Sequence, residues 1–233
     1  MDQGILFDIV KDNDYFRHKR NEMRWFLPQV YDKVLEIGCG DGAFIENLNP
    51  DCEVWGIEPN RIAAEVASRK SYKVLIGKYE TIVSQLPDDY FNLVVCNDVI
   101  EHMDDYDAFL DSIKKKMRQN ACLVGSIPNV RYYYNMKELL IKRDWKYTNE
   151  GILDRSHLRF FTKISFKRTL EQHGFLIEKY RGINRLKYDS YRLKSILHRI
   201  ILYFTLVVTL GFYYDIIFLQ FGFCARKLFY SDD

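Results

Sequence analysis

Residues 34 to 44 read Val-Leu-Glu-Ile-Gly-Cys-Gly-Asp-Gly-Ala-Phe, an apolar run that passes straight into alternating glycines. That order predicts a strand, a tight turn and then a helix, because glycine takes positive φ freely and lets backbone approach a ligand closely. A parallel neighbour to such a strand can be reached only by a crossover, so the chain should continue as alternating strands and helices. Apolar runs recur at 53 to 57, 73 to 76, 91 to 96 and 121 to 127, and two further strands are expected over 175 to 181 and 216 to 228. Between them Ile62, Val66 and Arg69, and then Tyr106, Phe109, Leu110, Ile113 and Met117, fall at helical spacing. A helix is expected from Thr162 to His173, closed by Gly174 at the C′ position, and another from Asp14 to Leu27, stopped before Pro28. The tyrosine-rich stretch from Asn129 to Phe161 shows no period and is long for a connection, which suggests a substrate loop.

The expected architecture is an α/β Rossmann-like three-layer sandwich: a seven-stranded, mostly parallel sheet with an antiparallel last strand. All 233 residues are read as one domain, with 1–30 as an N-terminal helical cap and 184–214 as a basic and apolar helical insertion before the last strand. A formal charge of only +2 excludes a whole-protein field that would draw the chain onto nucleic acid. The five cysteines form no CxxC pair and no zinc spacing, which points to a reducing compartment and to buried thiols. Asp2 and Asp8 interrupt the basic-then-apolar pattern of a secretory leader, so a cytoplasmic location is expected. The uncharged run from Ile200 to Tyr214 is fifteen residues long, short of the roughly 20 that a membrane span needs. Preceded by Arg192, Lys194 and Arg199, it reads either as an anchor lying on the inner membrane face or as a helix packed on the sheet or on a second subunit.

The glycines alone leave two ligands open, since Gly38, Gly40 and Ala43 also satisfy the dinucleotide pattern and Glu58 stands where a ribose-binding acid would. Glu36 separates them. A carboxylate just before the turn repels a diphosphate and favours an ammonium or sulfonium cation.

Glu36 through Gly42 resembles motif I of the class I S-adenosylmethionine-dependent methyltransferases. Gly56-Ile57-Glu58-Pro59 is similar to that family's second-strand acid, Leu86 through His102 to its fourth-strand motif, and Phe218 through Lys227 to its last strand. The resemblance covers roughly residues 30 to 228. It implies S-adenosylmethionine as cofactor, S-adenosylhomocysteine as product, and Glu36, Gly38, Cys39, Gly40, Gly42, Glu58, Pro59, Asn97 and Asp98 as the residues that hold it. The resemblance also suggests Tyr15 and Arg24, on the cap, for the cofactor carboxylate. Residues 126–129 and 151–162 look like the bacterial branch associated with surface-polysaccharide clusters, which implies O-methylation of a sugar or glycan. Ubiquinone-type O-methyltransferases share the Glu101-His102 neighbourhood, so a quinone or small-aromatic acceptor stays open. Nucleic-acid amino-methyltransferases carry Pro-Pro-aromatic where this chain has Asn97-Asp98-Val99, which disfavours base methylation.

An alcohol acceptor needs a base within hydrogen-bond reach, and His102 and His157 are the candidates, with Asp154 as orienter. No metal is expected, because Asp98, Glu101, Asp104, Asp105 and Asp107 read as a solvated acidic helix start. Tyr132, Tyr133 and Tyr134 either stack on an acceptor or pack beneath their loop. A monomer or homodimer is expected. A nicotinamide-dependent oxidoreductase and a non-catalytic cofactor-binding module are the readings from other classes.

Overall fold

The structure is a computed structural model, and it describes residues 19–70, 72–186, 200, 203, 204 and 207–228. In chain order these form β1 (Lys33–Ile37), β2 (Glu53–Glu58), α1 (Arg61–Ser68), β3 (Tyr72–Ile76), the short α2 (Tyr79–Ile82), β4 (Phe91–Asn97) and α3 (Tyr106–Lys116). Then come β5 (Met117–Pro128), α4 (Tyr133–Lys137), α5 (Lys163–Gln172), β6 (Phe175–Arg185) and β7 (Phe218–Lys227). The seven strands make one sheet in the order β3-β2-β1-β4-β5-β7-β6. β1 to β5 pair in parallel, and β7 runs antiparallel to both β5 and β6, as the sequence pattern predicts.

The sheet is buried on both faces, which is why its central strands are continuous apolar runs. On one face Phe109, Leu110 and Ile113 of α3 and Phe166 and Leu170 of α5 join Leu35, Val94 and Leu123 in one core. On the other, Ala67 of α1 packs with Phe44, Val34 and Val95 in a second core that also takes in Met23 and Phe26. Helix ends follow the sequence signals. Asn60 and Asp105 cap α1 and α3, Thr162 forms a capping box with Ser165 on α5, and Gly174 takes φ +72° after its last turn.

Three expectations change. The cap, within the described residues, is a 3₁₀ turn over Asn21–Phe26 and not a long α-helix; residues 14–18 and Tyr15 lie outside them. The segment after the glycine turn is a 3₁₀ helix, Ala43–Asn47. The stretch 129–161 carries local order, with α4 continued by a π-helical turn over Glu138–Lys142 and isolated bridges pairing Asn129 with Phe161 and Thr148 with Asp154.

Of the two readings of the 200–214 run, packing on the sheet is not seen among its described residues. Ile200, Tyr203, Phe204, Val207, Val208, Leu210 and Phe212 are all exposed. No helix among the described residues is long and apolar enough to cross a membrane.

Candidate active site

In an open parallel sheet, ligands bind beyond the carboxyl ends of the strands where the strand order reverses, which here is the β1/β4 junction. β1 delivers the chain there and Gly38, Gly40 and Gly42 turn it, each in the left-handed region at φ +70°, +54° and +76°. A Cβ at Gly42 would stand 2.9 Å from the Tyr72 ring and 3.1 Å from the Ala67 Cβ, so the turn also needs glycine for close packing. The turn is held from β2. Gly38 and Cys39 N–H groups donate to the Ile57 carbonyl, and Glu58 accepts from Gly40 N–H and from Asn60 N–H, each at 2.8 Å. Pro59 lies between these two anchors.

Glu36 is buried beneath the turn and accepts from the Tyr72 hydroxyl at 2.5 Å. Burial, with Glu58 and Asp41 adding negative charge, pushes its carboxyl up to about 8 against the Tyr72 hydrogen bond that lowers it. At neutral pH it is therefore mostly the neutral acid, so it sets little negative charge before the turn. Cys39 is buried, its sulfur 2.7 Å from where a Cβ on Gly56 would sit, and burial holds its thiol well above the ordinary range.

From the end of β4, Asn97 presents a buried side-chain oxygen with no protein hydrogen-bond partner. An orphaned acceptor at the switch point, beside a glycine turn braced by a buried acid, fits a polar nucleoside ligand. Asp98, at φ +53°, accepts from Ser126 Oγ at 2.7 Å and Gln220 Nε2 at 2.5 Å, and from the Arg20 guanidinium. Arg20 comes from the N-terminal turn, which is seated by Phe26 packing on Gly222 so tightly that a Cβ there would lie 2.4 Å from the ring. Arg24 is exposed on that turn. The cap thus reaches the site through Arg20, which no sequence signal distinguished from its basic neighbours.

The two histidines meet. His102, ending a 3₁₀ turn over Ile100–His102, packs against His157 with ring centroids 4.7 Å apart. Nδ1 of His102 lies 3.0 Å from the Ser156 carbonyl and Nδ1 of His157 lies 2.9 Å from the Ile152 carbonyl. A carbonyl only accepts, so both rings carry the proton on Nδ1 and Nε2 is the basic nitrogen. The loop is fastened by Leu158 and Arg159 N–H groups donating to the Glu101 carbonyl at 2.8 and 3.1 Å. Asp154 accepts from Ser156 N–H at 2.8 Å and Ser156 Oγ at 2.6 Å. The Glu101 carboxylate, only 1% exposed, lies 4.0 Å from Nε2 of His157. Sequence reasoning placed Glu101 in an acidic run; its direct adjacency to His102 was the available signal. Glu101, His102 and His157 each offer one ligand atom within 4.8 Å of one another, a donor set that a divalent ion could take. The other acids of the run behave as expected, with Asp104, Asp105 and Asp107 exposed and Asp105 capping α3.

An aromatic cluster reaches His157 through Phe160. Phe160 lies 6.5 Å from it, and Trp145 and Tyr147 lie 5.3 and 6.3 Å from Phe160. Tyr132 and Tyr133 pack against Leu186, Ile216 and Ile217, while Tyr134 is 40% exposed.

A family profile described as "Methyltransferase domain" matches residues 12–180. Among curated relatives, the mitochondrial ubiquinone biosynthesis O-methyltransferase of Schizosaccharomyces pombe is 35% identical over 102 residues, covering 40% of this chain and 37% of that protein. Its counterpart from Bradyrhizobium diazoefficiens is 31% identical over 101 residues, covering 42% of this chain and 40% of the relative. The shared region thus spans well under half of these relatives. Among solved structures, a SAM dependent methyltransferase from Archaeoglobus fulgidus superposes with a TM-score of 0.62 at 22% identity, covering 97% of this chain and 100% of that one. Another from Aquifex aeolicus gives 0.59 at 12% identity, covering 98% and 100%. The sheet order, the glycine turn with its second-strand acid and the profile match agree: the chain belongs to the methyltransferase-domain family.

Proposed function

We propose that this chain O-methylates a small phenolic or quinol-type aromatic acceptor, with His157 as the general base. The observation that carries the reading is the convergence of Nε2 of His157, the carboxylate of Glu101 and the His102 ring beside Phe160, Trp145 and Tyr147. A hydroxyl is a poor nucleophile until its proton is taken, and a neutral imidazole whose other nitrogen is tied to a carbonyl is oriented for that step. Glu101, as a positioning residue, faces the nitrogen that gains the proton and favours the charged ring. When bound, the cofactor supplies an electrophilic methyl group on a sulfonium. Glu58 and the Gly38 to Gly42 turn would hold its nucleoside, with Asn97 and Asp98 at the adjoining strand end.

The names of the relatives favour this aromatic alternative over the sugar acceptor expected first, and the aromatic cluster that reaches His157 through Phe160 supports the same choice. Release of S-adenosylhomocysteine, followed with catechols and hydroquinones on one side and nucleotide-linked sugars on the other, tests it. Turnover on the aromatic set carries the reading, whereas turnover on sugars alone returns the acceptor to glycan chemistry.

A further inference from the structure

We propose that the carboxyl edge of the sheet is a docking face for an anionic lipid bilayer, formed by the apolar segment before β7 together with the start of α5 and the turn after α4. The inference goes beyond the methyl-transfer reading and does not depend on the acceptor.

The topology puts all three segments on one edge. β7 runs antiparallel to β5, with Pro128 opposite Gln220, so the chain enters β7 where β5 ends. The residues before β7 are pinned there. Asn129 donates to the Asp215 and Phe218 carbonyls at 2.9 Å, and Arg131 pairs with Asp215 at 3.5 Å and lies over the Tyr213 ring at 4.7 Å. α5 starts beside the same point, because Phe161 bridges to Asn129. α4 is tied in through Tyr132 and Tyr133 packing on Ile216 and Ile217.

What these anchors hold out to solvent is apolar. Leu210 is 87% and Phe212 83% exposed, Ile164 at the start of α5 is 70% exposed, and Leu140 and Ile141 after α4 are 70% and 71% exposed. Phe212 and Ile164 share the wall of one shallow cleft of about 180 Å³ with Tyr214, Arg131 and Lys163, so the patch is continuous there. Exposed large side chains gathered on one edge mark an interaction surface, whereas scattered ones do not.

Charge selects the occupant. Lys137, Lys142, Arg143 and Lys146, outnumbering Glu138 and Asp144, flank the turn after α4, and Arg131 and Lys163 line the cleft. Cations bordering exposed aliphatic and aromatic side chains match the two layers of an anionic membrane surface, headgroup outside and acyl boundary within. Since the cofactor turn opens on the same edge, docking would hold the site beside lipid-dissolved molecules.

The test is flotation of the full chain with phosphatidylcholine vesicles with and without phosphatidylglycerol, at low and high salt. Binding that requires phosphatidylglycerol, weakens with salt and falls about tenfold or more in Leu210→Ser/Phe212→Ser and in Leu140→Ser/Ile141→Ser is the expected result. S-adenosylhomocysteine binding by each variant confirms that it is folded. Three outcomes would overturn the proposal: no vesicle binding by protein that binds S-adenosylhomocysteine, binding indifferent to lipid charge, or variants that abolish self-association in light scattering while vesicle binding stays unchanged. The last would assign the face to a second copy of this chain.

Discussion

Nε2 of His157 stands 4.0 Å from Oε1 of Glu101, both side chains almost wholly buried, although one belongs to an irregular loop and the other to the turn after β4. If His157 takes the acceptor proton, His157→Ala should lower kcat by about 10²–10⁴-fold. Glu101→Gln keeps the shape but removes the charge that favours the imidazolium, and a smaller loss of about tenfold or more in kcat is expected. Calorimetry should give both variants the wild-type affinity for S-adenosylhomocysteine. Parallel losses of kcat and cofactor affinity would make the pair a structural brace instead.

Glu58 accepts one hydrogen bond from Gly40 N–H in the glycine turn and another from Asn60 N–H at the start of α1. Glu58→Ala leaves both donors without that partner, and hydrogen bonds to a charged group are worth about 1.5–3 kcal/mol each. Affinity for S-adenosylhomocysteine should fall by about tenfold or more in titration calorimetry, with Glu58→Gln retaining part of it through its amide oxygen. Wild-type affinity in the alanine variant would remove Glu58 from the cofactor site.

Arg20 and Asp98 both sit in the left-handed backbone region, at φ +52° and +53°, and their side chains pair. Arg20→Ala leaves a partly buried carboxylate with only its Ser126 and Gln220 donors, so a loss of about 1–3 kcal/mol is expected in urea unfolding. Asp98→Asn, which tolerates the same φ and still accepts from Ser126, should cost less. Equal costs would mean that the ionic attraction, and not the hydrogen bond that Asn retains, carries the interaction.

Burial holds Glu36 up to about 8 against an ordinary 4.5, so between those values the folded chain keeps a proton that the unfolded chain has released. Stability therefore falls as pH rises through that window, the reverse of a salt-bridged carboxylate. Glu36→Gln stays neutral throughout, and its Tm relative to wild type should climb between about pH 5 and about pH 8. A difference in Tm that stays constant across that range would show that Glu36 is ionised in the fold.

Much of the scaffold was legible because it depends on local order. The run from Val34 to Ile37 followed by glycines requires a strand and a turn wherever it occurs, and Thr162 with Ser165 starts a helix from chemistry contained within one turn. The acid that braces the turn was legible for a related reason, since Glu58 ends the strand next to that turn. Within the described residues the cap is a 3₁₀ turn where a helix is expected, and the sheet residue on which Phe26 packs, Gly222, lies far along the chain. Asp154, near His157 in sequence, accepts from Ser156 through one carboxylate oxygen, and Glu101, from the turn after β4, brings a second carboxylate to 4.0 Å from Nε2 of His157.

By itself, then, the sequence determined the strand and helix succession, the glycine turn and the second-strand acid, because propensity, capping and hydrophobic period act over a few residues. Only the tertiary structure decided that Arg20 faces Asp98, that Glu101 faces His157, that Glu36 is raised out of its usual ionisation range, and that three apolar segments share one edge. Each of these depends on distances between residues far apart in the chain and on the solvent that packing removes, and neither quantity exists until the sheet has closed.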